Sequence, residues 1–229
     1  MISIRRNAAM KRYIAIIGDI RYSKNIQDRG NIQRKLNKIL NALNENYSSD
    51  IAAKFVITLG DEFQVLLHNG DHLLEMIRAI QRQLYPVEVR FGIGIGDITT
   101  PIKKTAAIGA DGPAYYAARE MIDELRIMEK KLKHQAPDVK VGYYEQKDDL
   151  ELEHLNAFFR LNKLIDNSWS DEQRATVMEA ISNNDSQSEI AKRLGTTQST
   201  VARRLAMANF ITYMDIEDII NKTIVEITR

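Results

Sequence analysis

The stretch FVITLGDEFQVLL, residues Phe55 to Leu67, contains two short apolar runs that meet at a turn. The β-branched and aromatic residues on either side suit strands, and the Gly60-Asp61 pair between them is typical of a hairpin turn. Two carboxylates, those of Asp61 and Glu62, therefore stand where the chain reverses. Turn propensity alone accounts for a Gly-Asp pair. The stretch thus has two interpretations: a purely structural turn, or a turn whose carboxylates belong to a functional site.

The composition predicts a protein with a sizeable core and excludes several kinds of site. The 229 residues are 44% hydrophobic and 28% charged, with a formal net charge of +1. This length suffices for one large domain or two small ones. Because cysteine is absent, disulfides, thiolate metal sites and cysteine nucleophiles are excluded. A net charge near zero gives no global attraction to nucleic acid, so any basic contact surface must be local.

The sequence contains no segment that predicts a membrane span or a secretory signal. No apolar run approaches the roughly 18 residues of a membrane span, and the first residues lack the apolar core of a signal peptide. We therefore expect a cytoplasmic protein without membrane insertion.

Strand and helix patterns alternate outward from the hairpin. Apolar residues three and four apart predict helices over residues 31–44 and 71–84, and short apolar runs predict strands over residues 13–17, 87–95 and 139–144. Pro113 suits the first turn of a further helix. This order is that of an α/β sandwich. The charge-rich stretch EQKDDLELE then predicts a domain boundary, followed by a helix over residues 150–165.

The strand VRFGIGIGDI has glycines at every second position. Gly92, Gly94 and Gly96 follow GxGxG spacing and not the GxGxxG spacing of a dinucleotide-binding loop. In a strand, alternate residues share one face, so the three glycines leave that face without side chains. We expect another part of the molecule, or a ligand, to approach this face closely.

Asp19 and Asp61 are candidates for a shared cation site. Asp19 follows the first predicted strand, and Asp61 lies at the tip of the hairpin. The two become neighbours if the first strand is central in the sheet and lies beside the hairpin. Mg²⁺ prefers oxygen ligands and usually takes one or two from the protein, leaving the others to water and substrate phosphates. Two convergent carboxylates could hold Mg²⁺ against a triphosphate.

Several segments in one order resemble the SatD family. They are GDI with SK, FVITLGDEFQ, LYPVEVRFGIGIGDI, GADGPAYYAARE and a C-terminal helix-turn-helix, from Tyr13 to about Phe210. The first strand and the hairpin are also similar to those of class III nucleotidyl cyclases, and the hairpin resembles the GGDEF turn of diguanylate cyclases. The resemblance implies an α/β fold, an α+β ferredoxin-like palm similar to the nucleotidyl cyclases, over residues 11–147. A connecting helix or linker over residues 148–169 and an all-α helix-turn-helix domain over residues 170–229 would follow.

The resemblance to cyclases also implies roles for single residues. It matches Asp19 and Asp61 to the two metal aspartates and Arg119 to the arginine that contacts the triphosphate in the transition state. Together with Ile20 and Glu62, these residues would form the site for a purine nucleotide and Mg²⁺. From the residues alone, Arg119 could instead be an exposed helical arginine that pairs with Glu120 or Asp123 on its own helix.

Two positions depart from the cyclase pattern. The asparagine expected four residues before Arg119 is Tyr115, and the base-reading lysine expected four residues before Asp61 is Ile57. Each pre-organised donor of this kind contributes about 3 kcal/mol to catalysis. The resemblance therefore implies that metal and phosphate binding could survive without efficient cyclisation. Tyr115 and Tyr116 could stack on a base or belong to the edge of the core.

Residues 186–205, SQSEIAKRLGTTQSTVARRL, have the spacing of small, apolar and glycine residues that a helix-turn-helix requires. Over residues 186–209, one Glu and four Lys or Arg give a local charge of +3. The residues expected to contact DNA are Gln198, Ser199, Thr200, Arg203 and Arg204 of the second helix, with Lys192 and Arg193 of the first. The alternative is a helical pair that serves only packing or protein contacts.

We interpret the sequence as a DNA-binding regulator with a nucleotide-sensing and catalytically degenerate palm domain. A homodimer is expected, because helix-turn-helix proteins commonly read two half-sites through two-fold symmetry. The alternative is an active Mg²⁺-dependent nucleotidyl cyclase or related phosphoryl-transfer enzyme whose C-terminal module targets or dimerises it. A third possibility is a palm domain that serves only as a scaffold.

Overall fold

The computed structural model describes residues 12–23, 28–58, 60–145, 149–182 and 185–229. The strands are Tyr13–Ile20 (β1), Ile51–Ile57 (β2), Glu62–Leu67 (β3), Val89–Gly96 (β4) and Val139–Tyr143 (β5). The helices are Arg29–Asn46 (α1), Leu73–Leu84 (α2), Pro113–Leu132 (α3), Leu150–Asn167 (α4), Asp171–Ser182 (α5), Gln187–Arg193 (α6), Gln198–Met207 (α7) and Phe210–Ile227 (α8). Within these residues, no helix is long and apolar enough to cross a membrane.

The strands form one sheet in the order β2-β3-β1-β4-β5. The central strand β1 is antiparallel to both β3 and β4, and β5 is parallel to β4. The first four strands with α1 and α2 follow the β-α-β-β-α-β order of ferredoxin-like folds, and α3 makes the crossover between β4 and β5. The prediction of a mixed α/β fold is thereby confirmed, with the first strand central and beside the hairpin.

Strand β1 is longer than the sequence predicts. The apolar run ends at Ile17, yet β1 continues to Ile20 because it is paired on both sides up to its end. Asp19 lies opposite Glu62 of β3 and opposite Arg90 of β4. The prediction that Asp19 follows the strand was therefore wrong, since sheet pairing holds this polar residue inside β1.

Helix α3 packs against the glycine face of β4. A Cβ atom added to Gly92 would lie 2.2 Å from the carbonyl oxygen of Ala118, and one added to Gly94 would lie 2.0 Å from that of Ala114. Such distances are shorter than any real contact, so only glycine permits this approach. The close neighbour predicted for this face is the backbone of α3, and Pro113 begins that helix as predicted.

Alternate residues of β1 face two separate cores. Ile14 and Ile16 pack with the apolar sides of α1, α2, α4 and α8 on one face of the sheet. Ala15 and Ile17 pack with α3 and the residues that precede it on the other face. This alternation is the period of two expected in a strand. The sheet is therefore covered by helices on both faces.

The last four helices build a third cluster around Trp169. Its buried members include Val177 of α5, Ile190 of α6, Val201 of α7 and Tyr213 of α8. Helix α8 also reaches the palm, because Ile220, Ile224 and Ile227 near its end belong to the sheet core. The C-terminal helices therefore pack directly on the sheet domain. The domain limits of 11–147, 148–169 and 170–229 stay a prediction.

Candidate functional site

The register of β1 and β3 brings the candidate metal ligands to one end of two neighbouring strands. Asp19 lies opposite Glu62, and the backbone N–H of Ile20 donates to the carbonyl oxygen of Asp61 at 3.3 Å. We call Asp19, Asp61 and Glu62 the acidic corner. Negative charges at this spacing repel one another, and the charge of Asp61 is one of the causes that raise the pKa of Asp19.

Asp19 is buried and contacts two arginines. Its Oδ2 lies 2.9 Å from Nη2 of Arg126 on α3 and 3.4 Å from Nε of Arg90 on β4. Burial raises the pKa of Asp19 above its ordinary value, and the charges of Arg90 and Arg126 oppose that rise without cancelling it. The sequence analysis missed both arginines. Arg126 follows Arg119 by two helical turns, so their spacing on one face of α3 was a usable signal.

Glu62 holds Arg119 through two hydrogen bonds. Nη1 of Arg119 donates to Oε2 of Glu62 at 2.5 Å, and Nη2 donates to Oε1 at 2.7 Å. Hydrogen bonds from Arg119 lower the pKa of Glu62, so this carboxylate stays charged at neutral pH. The pairing of Arg119 with Glu120 or Asp123, considered above, is replaced by this bond across to the hairpin. Helix α3 thus places two guanidinium groups over the acidic corner.

A small cavity adjoins the acidic corner. It has a volume of about 120 Å³ and is lined by Ile20, Ser23, Arg29, Ile32, Gln33, Gly60 and Asp61. Gln33 donates from Nε2 to the carbonyl oxygen of Gly60 at 3.1 Å, which ties α1 to the hairpin turn. Sites for whole small molecules usually measure about 300–1,000 Å³. This cavity therefore suits one phosphate group or a hydrated cation. Lys24 of the SK motif lies outside the described residues.

The donor set at the corner fits Mg²⁺ only together with a phosphate ligand. Among the residues that the structure describes, no group of three or more His, Cys, Asp or Glu side chains could hold a metal ion. Asp19 and Asp61 would supply two carboxylates. Mg²⁺ commonly binds through one or two carboxylates and completes its shell with water and phosphate oxygens. The residues present therefore fit a Mg²⁺-nucleotide complex better than a free ion.

Tyr115, which stands where the cyclase pattern has asparagine, lies in the core. Tyr115 is 7% exposed and belongs to the core between α3 and the sheet. Its hydroxyl oxygen lies 3.5 Å from the carbonyl oxygen of Ala107, and burial raises the pKa of Tyr115. Tyr116 is exposed and donates to Oδ2 of Asp111 at 2.9 Å. Tyr115 is thus a core residue.

Helices α6 and α7 are joined by a turn over residues 194–197. Gly195 adopts a φ of +59°, and Oγ1 of Thr197 accepts a hydrogen bond from the N–H of Thr200 at 3.2 Å. The cap explains why α7 begins at Gln198, one residue after the predicted start. Such a turn, with glycine in the left-handed region, is common between two crossing helices.

The predicted DNA contacts differ in their surroundings. Lys192, Arg203, Gln198 and Ser199 are exposed, and Thr200 and Arg204 are half-buried. Gln198 donates from Nε2 to Oε1 of Gln187 at 3.0 Å, which leaves its second N–H and its Oε1 for another partner. Arg193 lies 2.6 Å from both Glu179 and Asp185. A phosphate would have to compete with these two carboxylates for Arg193.

Comparison with known families gives a match over most of the chain. The SatD family model covers residues 13–224. The chain belongs to the SatD family. A comparison of this SatD-family chain with curated proteins gave no match.

Two solved structures are similar to part of this SatD-family chain. One is the guanylate cyclase domain of RhGC from Catenaria anguillulae in complex with GTP, with 15% identity, 48% of this chain and 71% of that chain covered, and a TM-score of 0.38. The other is the guanylyl cyclase Cya2, with 16% identity, 49% and 70% covered, and a TM-score of 0.31. At these values, the role of each residue rests on the geometry of the site itself.

Proposed function

We propose that this SatD-family protein is a DNA-binding regulator whose palm domain senses a purine nucleoside triphosphate bound with Mg²⁺ at the acidic corner. One observation carries the nucleotide proposal. The pairing of β1 with β3 places Asp19 beside Asp61, and α3 places Arg119 and Arg126 over them. Carboxylates suit the cation and guanidinium groups suit the phosphates.

Binding would exchange ion pairs inside the corner. Arg119 and Arg126 now contact Glu62 and Asp19, and their side chains are 44% and 40% exposed. Half-exposed guanidinium groups can turn toward phosphate oxygens without crossing the core. Mg²⁺ between Asp19 and Asp61 would then replace the positive charge that leaves.

The same geometry supports binding without efficient turnover. Tyr115 is buried in the core, and Ile57 has no polar group to read a base. A lost pre-organised donor costs about 3 kcal/mol of transition-state stabilisation. The retained Arg119 favours the second candidate, an active nucleotidyl cyclase or related phosphoryl-transfer enzyme. Analysis of the nucleotide after incubation distinguishes the sensor from the enzyme.

The C-terminal module would read DNA through the start of α7. Gln198, Ser199 and Arg203 are exposed on α7, and Lys192 is exposed on α6. Groove contacts are made from the first turns of the second helix in such motifs. We propose a homodimer, since a two-fold pair of modules would read two half-sites. Light scattering in the presence and absence of DNA tests this state, and a monomer in both conditions contradicts it.

Calorimetry with Mg²⁺ and either GTP or ATP tests the nucleotide proposal. We expect wild-type binding, at least a tenfold loss in Asp61→Asn, and no change in the matched control Asp218→Asn, an exposed aspartate of α8. Chromatography of the same mixtures should show unaltered nucleotide. A cyclic or condensed product supports the enzyme instead. No heat with either nucleotide means that the palm domain is a scaffold.

Selection from random-sequence DNA, followed by fluorescence anisotropy, tests the regulator proposal. Arg203→Ala should weaken DNA binding. If Arg203 contacts a phosphate, the slope of the logarithm of the binding constant against the logarithm of the salt concentration should become shallower by about one unit. Arg160→Ala, at an exposed position of α4, is the control and should behave as wild type. If no DNA is selected, the module serves packing or protein contacts.

A further inference from the structure

A series of ion pairs extends from the acidic corner to the C-terminal helices. Its members alternate in charge, and we call them the ion-pair network: Asp19, Arg90, Glu129, Arg21, Asp138, Glu88, Lys163, Asp166 and Arg174. The first five side chains are at most 11% exposed. Because an unpaired buried charge is costly, a member that loses one partner must find another inside the network.

Arg90 is shared between Asp19 of the acidic corner and Glu129 of α3. Its Nε lies 3.4 Å from Oδ2 of Asp19, and its Nη1 lies 3.2 Å from Oε2 of Glu129. Neither Nε of Arg90 nor Oε2 of Glu129 has a hydrogen-bond partner among the described residues. Buried polar atoms are rarely left in this state. Arg90 can therefore form a stronger bond with Glu129 once Asp19 releases it.

A cation bound by Asp19 would release Arg126 and Arg90 in different directions. The side chain of Arg126 is 40% exposed and can turn toward solvent or a phosphate, whereas that of Arg90 is 10% exposed. Since Arg90 cannot reach water, it would turn to Glu129. A change of charge at the corner therefore affects the buried network through Arg90.

Arg21 connects Glu129 with the part of the network that lies farther from the corner. Its Nε lies 3.6 Å from Oε2 of Glu129, and its Nη2 lies 3.2 Å from Oδ1 of Asp138. Nε of Arg21 and Oδ1 of Asp138 also lack hydrogen-bond partners within the described part of the chain. The other oxygen of Asp138 lies 2.9 Å from Nζ of Lys163 on α4. Because Glu129 and Asp138 share Arg21, a change at Glu129 alters how firmly Arg21 binds Asp138.

The network ends on α5, beside the single tryptophan. Lys163 lies 3.8 Å from Oδ2 of Asp166, and Asp166 pairs with Arg174 of α5. The guanidinium carbon of Arg174 lies 5.3 Å from the centroid of the Trp169 ring, within the distance of a cation–π contact. Nε1 of Trp169 donates to the carbonyl oxygen of Ala208, directly after α7, at 2.8 Å. Trp169 therefore reports on the far end of the network.

A large cavity leaves room for the side chains at this end to move. It has a volume of about 830 Å³ and lies where α5 and α8 meet the palm. The members of the network that line it are Glu88, Asp138, Lys163, Asp166 and Arg174. Close-packed cores contain few voids larger than a water molecule and resist such shifts. The far half of the network can therefore rearrange without displacing the sheet.

We propose that the ion-pair network couples occupancy of the acidic corner to helices α4 and α5, and so to the cluster around Trp169. For its ligand, this inference rests on the proposed function, in which Mg²⁺ bound with a nucleotide takes the charge of Asp19. The change then reaches α4 through Arg90, Glu129 and Arg21. By reciprocity, a ligand that moves α5 would change the affinity of the corner for the nucleotide.

The indole N–H signal of Trp169 in the ¹⁵N-labelled full chain tests the network without any nucleotide. Asp19→Asn removes the charge that Arg90 faces and should shift this NMR signal. Asp61→Asn is the matched control, because Asp61 lies at the same corner but outside the network, and it should leave the signal in place. An unmoved signal in Asp19→Asn, or an equal shift in Asp61→Asn, overturns the proposal.

Two glutamate variants of α3 locate the path. In Glu129→Gln, which breaks the network, the addition of Asp19→Asn should cause no further shift. In Glu124→Gln, on the same helix but paired with Lys140 outside the network, the full shift should remain. Lys163→Gln breaks the network at α4 and should also suppress the shift, which provides the test if circular dichroism shows that Glu129→Gln does not fold. A full shift in either broken network overturns the proposal.

Titration with Mg²⁺ and GTP or ATP connects the network with the nucleotide. Calorimetry should show binding to both wild type and Glu129→Gln, but only wild type should give a saturable shift of the Trp169 signal. Binding to wild type with an unmoved Trp169 signal overturns the coupling and leaves the nucleotide proposal standing. A shift in Asp19→Asn, without any binding of nucleotide to wild type, overturns the nucleotide proposal and supports the coupling of Asp19 to α5.

Discussion

Glu62 holds Arg119 at the acidic corner and so competes with any phosphate that approaches. Both guanidinium Nη atoms of Arg119 are engaged by Glu62, and a lowered pKa keeps Glu62 charged at neutral pH. Glu62 also adds a negative charge beside Asp19 and Asp61. At the scale of single residues, the affinity for the proposed nucleotide would therefore depend on how strongly this carboxylate retains the arginine.

Replacing Glu62 by glutamine should strengthen triphosphate binding. The variant removes one negative charge and frees Arg119, so we expect a severalfold to tenfold lower dissociation constant for the Mg²⁺-nucleotide, where tenfold corresponds to about 1.4 kcal/mol. Arg119→Ala should weaken binding by a similar factor. Calorimetry measures both. If Glu62→Gln binds more weakly than wild type, Glu62 itself contacts the ligand or its cation.

His72 and Asp50 form an ion pair whose contribution depends on pH. Nδ1 of His72 lies 2.5 Å from Oδ2 of Asp50, and the hydrogen bond to Asp50 raises the pKa of His72 above 6.5 in spite of burial. A raised folded-state pKa stabilises the protonated form. The stabilisation is therefore fully present below pH 6.5 and is lost as the pH rises through the folded-state pKa.

Urea unfolding of wild type and His72→Gln at several pH values checks this expectation. The stability difference between the two proteins should be larger at a pH of about 5.5 than at about 8. NMR titration of the His72 ring should give the same direction, with the pKa falling in Asp50→Asn. A difference that grows with pH would mean that the folded state favours the neutral form of His72.

At the scale of elements, α3 and β4 approach each other at backbone distance. Gly92 and Gly94 supply the flat face of the strand, and Ala114 and Ala118 face it from the helix. The same close approach brings Arg119 within reach of Glu62 on β3. The small residues therefore position the arginine that the proposed function needs.

Gly94→Ala should destabilise the fold by about 2–3 kcal/mol or more, as overpacking in a rigid core does. The added Cβ would lie 2.0 Å from the carbonyl oxygen of Ala114 and 2.4 Å from the amide nitrogen of Ala118, neither of which can move alone. Gly30→Ala is the matched control. Its Cβ would lie 3.8 Å from its nearest neighbour in α1, so we expect stabilisation of at most about 1 kcal/mol. Denaturant unfolding measures both, and equal effects would contradict the packing argument.

At the scale of the whole molecule, α8 connects the sheet core with the C-terminal cluster. Tyr213, near its start, packs against Trp169 with ring centroids 4.9 Å apart, whereas Ile224, near its end, is 2% exposed within the sheet core. Between them, Glu217 binds Arg78 of α2 at 2.5 and 2.8 Å. These contacts predict that the palm and the C-terminal helices unfold together.

Ile224→Ala should therefore destabilise both parts. We expect the free energy of unfolding to fall by about 2–4 kcal/mol because of the cavity that the substitution creates. The unfolding transitions followed by circular dichroism and by the fluorescence of Trp169, the single tryptophan, should shift together. Ile211→Ala, on the same helix but 76% exposed, should change little. An unshifted Trp169 transition in Ile224→Ala would show that the C-terminal helices unfold independently.

The sequence by itself determined the elements and their local chemistry. The hairpin with Asp61 at its tip, the start of α3 at Pro113 and the bare glycine face of β4 all follow from turn chemistry, proline geometry and strand periodicity, which act over a few residues. The three helices with predicted bounds, α1, α2 and α4, begin and end within two residues of the predicted positions.

Only the tertiary structure decided which distant groups meet. Arg119 pairs with Glu62 across 57 positions and Arg126 with Asp19 across 107, and the large cavity exists only where α5 and α8 meet the palm. The extension of β1 through Asp19 likewise depends on pairing with β3 and β4. Which group a long side chain contacts depends on the strand order, on the distance between helix and sheet, and on the balance of buried charge. These quantities are set only when the whole chain has packed.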